Sequence, residues 1–218
     1  MQHCLIADDH PLFREAVGQI LMTQHPELQV SQAHDIVEVQ RCLNTNDTID
    51  LLLLDLHMPG AYGFSAVAFA KTHYPNIPVL VISAHEKPEV MHKAISFGAK
   101  GFLSKSAGID EIQTAVNTVL SGKNYLPEVA RSYLPPPQEE EKCNIVEAIG
   151  TLTPQQYLVV TMVARGLLNK QIAYELDVTE ATIKAHLTAI FKKLGVRTRT
   201  QVAVAVSQLE LDDPTPVI

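Results

Sequence analysis

The chain has 218 residues, 46% of them hydrophobic, with three Cys, no Trp and a formal net charge of −7, which is room for one large domain or two of ordinary size. Cys4, Cys42 and Cys143 are odd in number, far apart and without C-x-x-C spacing, which argues against a disulfide framework or zinc site and fits a reducing compartment. The N-terminus lacks a cationic flank with a long apolar core, and no apolar run nears the ~18 residues of a membrane span, so a cytoplasmic protein with no membrane partner is expected.

Charge divides the chain. Subtracting Asp plus Glu from Lys plus Arg gives −5 over residues 1–125, −3 over 126–150, +3 over 151–211 and −2 over 212–218. Nucleic-acid affinity is therefore expected in the third segment only, modest and salt-sensitive.

In chain order, residues 3–7 read as a strand and Leu12, Phe13, Ala16, Val17, Ile20 and Leu21 follow at helical spacing. A second strand at 29–33 precedes a helix from about Ile36, where Asp35 and Glu38 are placed as a capping box. Leu51 to Leu54 is an unbroken apolar run, as in a parallel strand buried on both faces, and Asp55 ends it. A helix is expected over 63–73, a strand over 79–83, a helix over 87–97, a strand over 101–104 and a helix over 109–120. Five such repeats predict an α/β fold, a doubly wound five-stranded parallel sheet covered on both sides.

The pattern then changes. Residues 132–143 join three prolines to three glutamates and read as a stiff, solvated linker. From Thr151 the expectation is all-α: a helix with Thr153 as N-cap, Pro154 first and Gln156 completing a capping box, its apolar face formed by Leu158, Val159, Met162 and Val163. A short helix over 169–176, a longer one over 180–194 and a fourth over 200–209 follow, and residues 212–218 read as a disordered tail. The expected division is 1–125, a linker over 126–150, 151–211, and the tail.

Asp8 and Asp9 follow the first strand, Asp55 and Ser83 end the third and fourth, and Lys105 lies just past the fifth. In a parallel sheet these strand ends are neighbours on the edge where open α/β sheets bind ligands. Carboxylates converging there repel one another, and the usual remedy is a hard cation with oxygen ligands, Mg²⁺ or in its place Mn²⁺. With a cation, Lys105 can neutralise the oxygens of a phosphoryl group, Ser83 can donate to it, and Asp55 can attack it. A haloacid-dehalogenase-type phosphatase also joins an Asp nucleophile to Mg²⁺ but wants a second Asp two residues on; His57 stands there. Phosphate should thus be held rather than turned over, and the chain is not expected to be an enzyme.

DDH at 8–10, DLHMPG at 55–60, VISA at 81–84 and GAKGFLSK at 98–105 resemble a two-component receiver domain. The resemblance implies a flavodoxin-like fold in which Asp55 accepts phosphate from a sensor histidine kinase. It also implies that Asp9, Asp55 and the backbone carbonyl of His57 ligate Mg²⁺ with Asp8 assisting, and that Ser83 and Phe102 report phosphorylation, the ring turning inward. The imidazole of His57 is incidental in this scheme. Ser106 departs from the cis proline that receivers at large often carry after this lysine.

Residues 151–206 resemble a LuxR-type helix-turn-helix, with a scaffold helix from Asn169 and a recognition helix from Glu180. The polar face of the second carries Thr182, Lys184, Ala185, Thr188 and Lys192; Lys reaches guanine edges, Ala and Thr offer methyl contact to thymine. The resemblance carries Lys184, Ala185 and Thr188 to base-facing positions, and Asn169, Lys170, Thr182, His186 and Lys193 to backbone-contact or framework roles. It makes Val202, Ala205, Val206 and Leu209 a dimer surface. Gln155 and Gln156 replace a usual Arg-Glu pair. The whole resembles a NarL/FixJ-family response regulator. On this reading phosphorylated Asp55, acting through Ser83 and Phe102, frees the recognition helix from the receiver, and a homodimer binds paired half-sites in double-stranded promoter DNA, with RNA polymerase a further partner. The alternative is a phosphorylation-independent DNA-binding regulator whose receiver is a dimerisation scaffold; the intact Asp9, Asp55 and Lys105 argue against it.

Overall fold

The computed structural model describes residues 3–45, 48–133, 140–207 and 209. Its elements run β1 (His3–Ala7), α1 (Pro11–Gln24), β2 (Gln29–Ala33), α2 (Ile36–Thr45), β3 (Leu51–Asp55), α3 (Ser65–His73), β4 (Val79–Ser83), α4 (Pro88–Ser96), β5 (Gly101–Ser104) and α5 (Ile109–Leu120). Then come α6 (Glu128–Arg131), α7 (Glu140–Gly150), α8 (Pro154–Ala164), α9 (Asn169–Glu175), α10 (Glu180–Leu194) and α11 (Arg199–Ser207). All strands pair parallel in the order β2-β1-β3-β4-β5.

Alternation along the strands builds two cores. Cys4, Ile6, Leu51, Leu53, Leu80, Ile82 and Leu103 meet α1 and α5 on one face. Leu5, Ala7, Leu52, Leu54, Val79, Val81 and Phe102 meet α2, α3 and α4 on the other. The Leu51–Leu54 run is apolar throughout because both faces of β3 are covered. Helix α3 starts later than expected because Tyr62 and Gly63 take left-handed conformations, φ 35° and 58°, in the preceding turn. Asp35 caps Glu38 N as expected, but the Glu38 carboxylate reaches His34 N rather than Asp35 N, so only half of the capping box forms.

The second core does not end with the receiver. It continues without a break through Val146, Ile149, Leu152 and Tyr157 into Ile183, Leu187, Ile190, Val202 and Val206 of the helical domain. The span 126–150, read as a linker, carries two helices, and α7 lies along α3. A Cβ on Gly150 would meet Ala68 O and Thr72 Oγ1 at 3.3 Å, so the bare glycine lets the two helices close. The proline run and residues 212–218 lie outside the described residues. In α8 every side chain from Gln156 to Val163 is buried, not one stripe, because α10 and α11 cover one side and the receiver the other. Its N-terminal capping box, Thr153 with Gln156, is formed. Among the described residues no helix is long and apolar enough to cross a membrane.

Because Ile149 is 1% exposed in this shared core, Ile149→Ala should cost about 2–4 kcal/mol in urea unfolding. Faster limited proteolysis within residues 126–150 should accompany the loss; an unchanged midpoint would contradict the continuity of the core.

Candidate functional site

Register in the sheet brings the strand ends together. Asp55 sits between the ends of β1 and β4, and Ser83 pairs with Ser104 at the end of β5. Adjacent strands lie about 4.8 Å apart, so a group on β5 must cross β4 to reach β3 and β1; only a long side chain does so. The Lys105 ammonium lies 2.8 Å from Asp55 Oδ2 and 2.8 Å from Asp8 Oδ2, both carboxylates being about 1% exposed. Its backbone N–H donates to Ser83 O at 2.9 Å.

The remaining donors hold the carboxylates in place. Asp8 Oδ1 accepts from His10 N at 2.8 Å, and Asp55 Oδ1 from His57 N at 3.2 Å. The His10 ring sits 2.6 Å from Asp9 Oδ1 at the exposed rim. Ligand atoms of Asp8, Asp9, His10 and Asp55 all lie within 4.8 Å of one another. Burial raises the Asp55 carboxyl above its ordinary range, with Asp8 adding to the rise and Lys105 and the His57 N–H opposing it. Burial works against the Lys105 charge, but Asp55 and Asp8 outweigh it and lift the ammonium above its usual value.

Three carboxylates facing one ammonium leave an excess of hard, negative oxygen donors, and the buried Asp8 Oδ2 has an ion pair but no hydrogen bond. That donor set fits Mg²⁺. His10 was not assigned a role from the sequence; its place beside two aspartates at a strand end was the available signal. The His57 imidazole makes a contact of its own, its Nε2 lying 3.1 Å from Nε2 of buried His85 and joining the loops after β3 and β4. Ser83 is wholly buried with its Oγ occupied by His85 N at 3.2 Å, and Phe102 is wholly buried, its ring already inside. Every described peptide is trans, including the one before Ser106.

In the helical domain, Lys184, Ala185, Thr188 and Lys192 are exposed on α10, and Lys170 on α9. Thr188 Oγ1 donates to Lys184 O at 3.0 Å, which leaves its methyl as the free group. Three other sequence candidates are tied within the domain. Thr182 N and Oγ1 meet Thr179 Oγ1 at 3.2 and 2.9 Å at the helix start. Asn169 Oδ1 accepts from Arg199, which also donates to Leu167 O. Lys193 donates to Thr151 O and Gln156 Oε1 at 2.8 and 2.9 Å, so Gln156, standing where the usual pair has Glu, makes a polar tie. The expected dimer surface is corrected: Val202, Ala205, Val206 and Leu209 are all buried within the domain, α11 packing on α8, whereas Val204 is 50% exposed.

The receiver holds the helical domain through α7, Leu152 and α8. Tyr157 stacks on Phe69 at 4.5 Å, its hydroxyl 3.0 Å from Ser65 Oγ and 3.3 Å from Gly60 O. Tyr62 donates to Thr161 O at 3.1 Å and His73 Nε2 to Leu152 O at 2.6 Å. Gly60 lies at φ +82°, where an added Cβ would collide with Ile36. Lys184, Ala185 and Thr188 on α10 are exposed while α8 is docked.

Residues 4–117 match the response regulator receiver domain, and residues 150–206 the luxR family of bacterial regulatory proteins. The chain is 36% identical over 214 residues to the glycerol metabolism activator of Pseudomonas putida, covering 96% of this chain and 97% of that one. It is 30% identical over 208 residues to the nitrate/nitrite response regulator protein NarL of Escherichia coli, covering 94% of each. The Salmonella typhimurium RcsB response regulator shares the fold, with TM-score 0.55 at 22% identity over 95% of this chain and 100% of that one. The chain thus belongs to the NarL/FixJ family of two-component response regulators, a family of DNA-binding transcriptional regulators that are not enzymes.

Proposed function

We propose that Asp55 takes a phosphoryl group from a sensor histidine kinase and that the modified protein binds paired promoter half-sites as a homodimer through Lys184, Ala185 and Thr188. The observation that carries this is Lys105 bridging buried Asp55 and Asp8 at 2.8 Å each. An Asp55 oxygen attacks phosphorus, the phosphorus–nitrogen bond of the phosphohistidine breaks, and the imidazole leaves. Lys105 keeps Asp8 and turns its charge to the phosphoryl oxygens, while the Ser83 hydroxyl, which accepts from His85 N, donates its own hydrogen to the same group. Asp9 and Asp55, with the His57 carbonyl and Asp8 assisting, would hold the Mg²⁺, which supplies further neutralisation of phosphoryl charge. No acid stands two residues after Asp55 to help an ordinary ester leave.

Coupling to DNA runs through the segment after β3. Gly60 and Tyr62 lie in the loop that follows Asp55, and both hold α8. With the α10 face exposed while docked, docking restricts how two helical domains approach one another rather than covering the reading surface. Lys170 and Lys192 add phosphate contacts, and the dimer contact falls to exposed α11 residues such as Val204.

Incubated with acetyl phosphate and Mg²⁺, wild type should retain label and Asp55→Asn none; label retained by the variant would remove Asp55 from the reaction. The same variant should be more stable than wild type without divalent cations. Because the folded Asp55 pKa is raised, the penalty of its charge is fully present above that pKa and fades as pH falls through it. The gap in Tm should therefore be widest near neutrality and close on acidification. Lys184→Ala should weaken specific DNA binding by about 1–3 kcal/mol, and unchanged footprints would exclude it as a base contact. Tyr157→Phe keeps the ring and loses the hydroxyl, weakening docking by about 1 kcal/mol. Unphosphorylated Tyr157→Phe should bind paired half-sites about fivefold tighter with single-site affinity unaltered; equal tightening on single sites would mean that docking masks α10.

A further inference from the structure

The turn that carries Lys105 is held from outside the crevice. Ser104 and Ser106, the residues on either side of the lysine, both donate to one oxygen of Glu86, at 2.8 and 2.6 Å. The two hydroxyls lie 2.8 Å apart, and Ser106 N donates to Ser104 Oγ at 3.1 Å. Ala107 N closes the turn on Ser104 O at 3.1 Å. The Ser106 and Ser104 hydroxyls hold the Glu86 carboxyl below its usual range, so the bonds are made to its ionised form. Such charge-assisted bonds are the short, strong kind.

We infer that Glu86 is a positioning residue for phosphoryl transfer, clamping the Lys105 turn through Ser104 and Ser106. The clamp rests on the reading of Asp55 as phosphoacceptor. Lysine carries four rotatable carbons and much rotamer freedom, and here its tip must stay between two carboxylates across an intervening strand. A ring at position 106 would stiffen the turn covalently; serine has no such restraint, and the carboxylate supplies one through hydrogen bonds. Glu86 lies three residues after Ser83 and beside His85, whose N–H occupies the Ser83 hydroxyl. One carboxylate thereby ties the loop whose N–H orients the Ser83 hydroxyl to the turn that must hold Lys105. The plainer account is a surface turn that adds only stability, and the two differ in what they change.

The test uses the 218-residue chain and four variants, Glu86→Ala, Glu86→Gln, Ser106→Ala and Asp55→Asn, with acetyl phosphate as donor. At saturating donor Glu86→Ala should slow labelling about two- to fivefold, the scale of one charged surface contact, while Mg²⁺ affinity by calorimetry stays within about twofold. Glu86→Gln, which keeps an acceptor oxygen at the same reach, should recover most of the rate, and Ser106→Ala should fall between. An unchanged rate in Glu86→Ala, a rate loss matched by equal loss of Mg²⁺ affinity, or a Glu86→Gln as slow as the alanine variant would each overturn the clamp. Wild type that takes no label would overturn the phosphoacceptor reading and the clamp with it, whereas label on wild type and none on Asp55→Asn isolates a failure to Glu86.

Discussion

Everything at the sheet edge depends on one ammonium placed between two buried carboxylates. Asp8 and Asp55 end adjacent strands, so their closeness is a consequence of parallel pairing and not of their own attraction. Two such charges in a low-dielectric setting repel, and one of them must be protonated or compensated. Lys105 compensates both at once, which is why the pair tolerates burial, and it leaves the crevice still negative once Asp9 is counted. The residual charge suits a divalent cation, which together with the ammonium would make a dianion welcome where carboxylates alone would reject it. Removing the positive end would strand two buried charges; removing Asp55 relieves one.

Such a site gains reactivity at the expense of stability. The raised Asp55 pKa means that the fold holds this carboxylate less comfortably than water does. Nothing apolar in β3 requires an acid at its end; Leu51 to Leu54 satisfy both cores without it. The cost of the Asp55 charge falls at the mouth of a sheet whose two apolar faces supply the rigidity to bear it.

Most of this arrangement is legible in the chain because strand ends are legible. The apolar runs at 3–7, 51–54, 79–83 and 101–104 mark where parallel strands stop, and the residues just beyond them are the site. The turn chemistry of α8 is equally local, Thr153 capping as its spacing with Gln156 suggests. What escaped is non-local. Val202, Ala205, Val206 and Leu209 form an apolar stripe, and a stripe has the same period whether it meets its own domain or a second copy. Val146 and Ile149 follow a run of prolines and glutamates, and that polar composition concealed an amphipathic helix. Tyr157 reads as one more core aromatic; only the packed structure puts its hydroxyl on Gly60 and Ser65, nearly a hundred residues away. His85 and Glu86 carry no motif of their own, and their partners lie on other loops.

A docked helical domain can be governed by phosphorylation only if the two states of the crevice interact differently with it. The contacts favour one route. Pro59 O holds the start of α2 through Ile36 N, Gly60 O takes the Tyr157 hydroxyl, and Tyr62 reaches Thr161, all within eight residues of Asp55. A dianion on Asp55 must be accommodated by this same short loop, whose backbone is pinned at Gly60 and Tyr62 in conformations with positive φ. Each hydrogen bond across the boundary is worth about 1 kcal/mol, so the loss of two or three would change the docked population by one to two orders of magnitude, about the range expected of an allosteric coupling. The apolar part of the contact, Phe69 on Tyr157 and α7 along α3, is insensitive to charge and sets the resting bias. Division of labour between an apolar seat and a polar latch explains how a closed state can be firm and still answer to a single modified side chain.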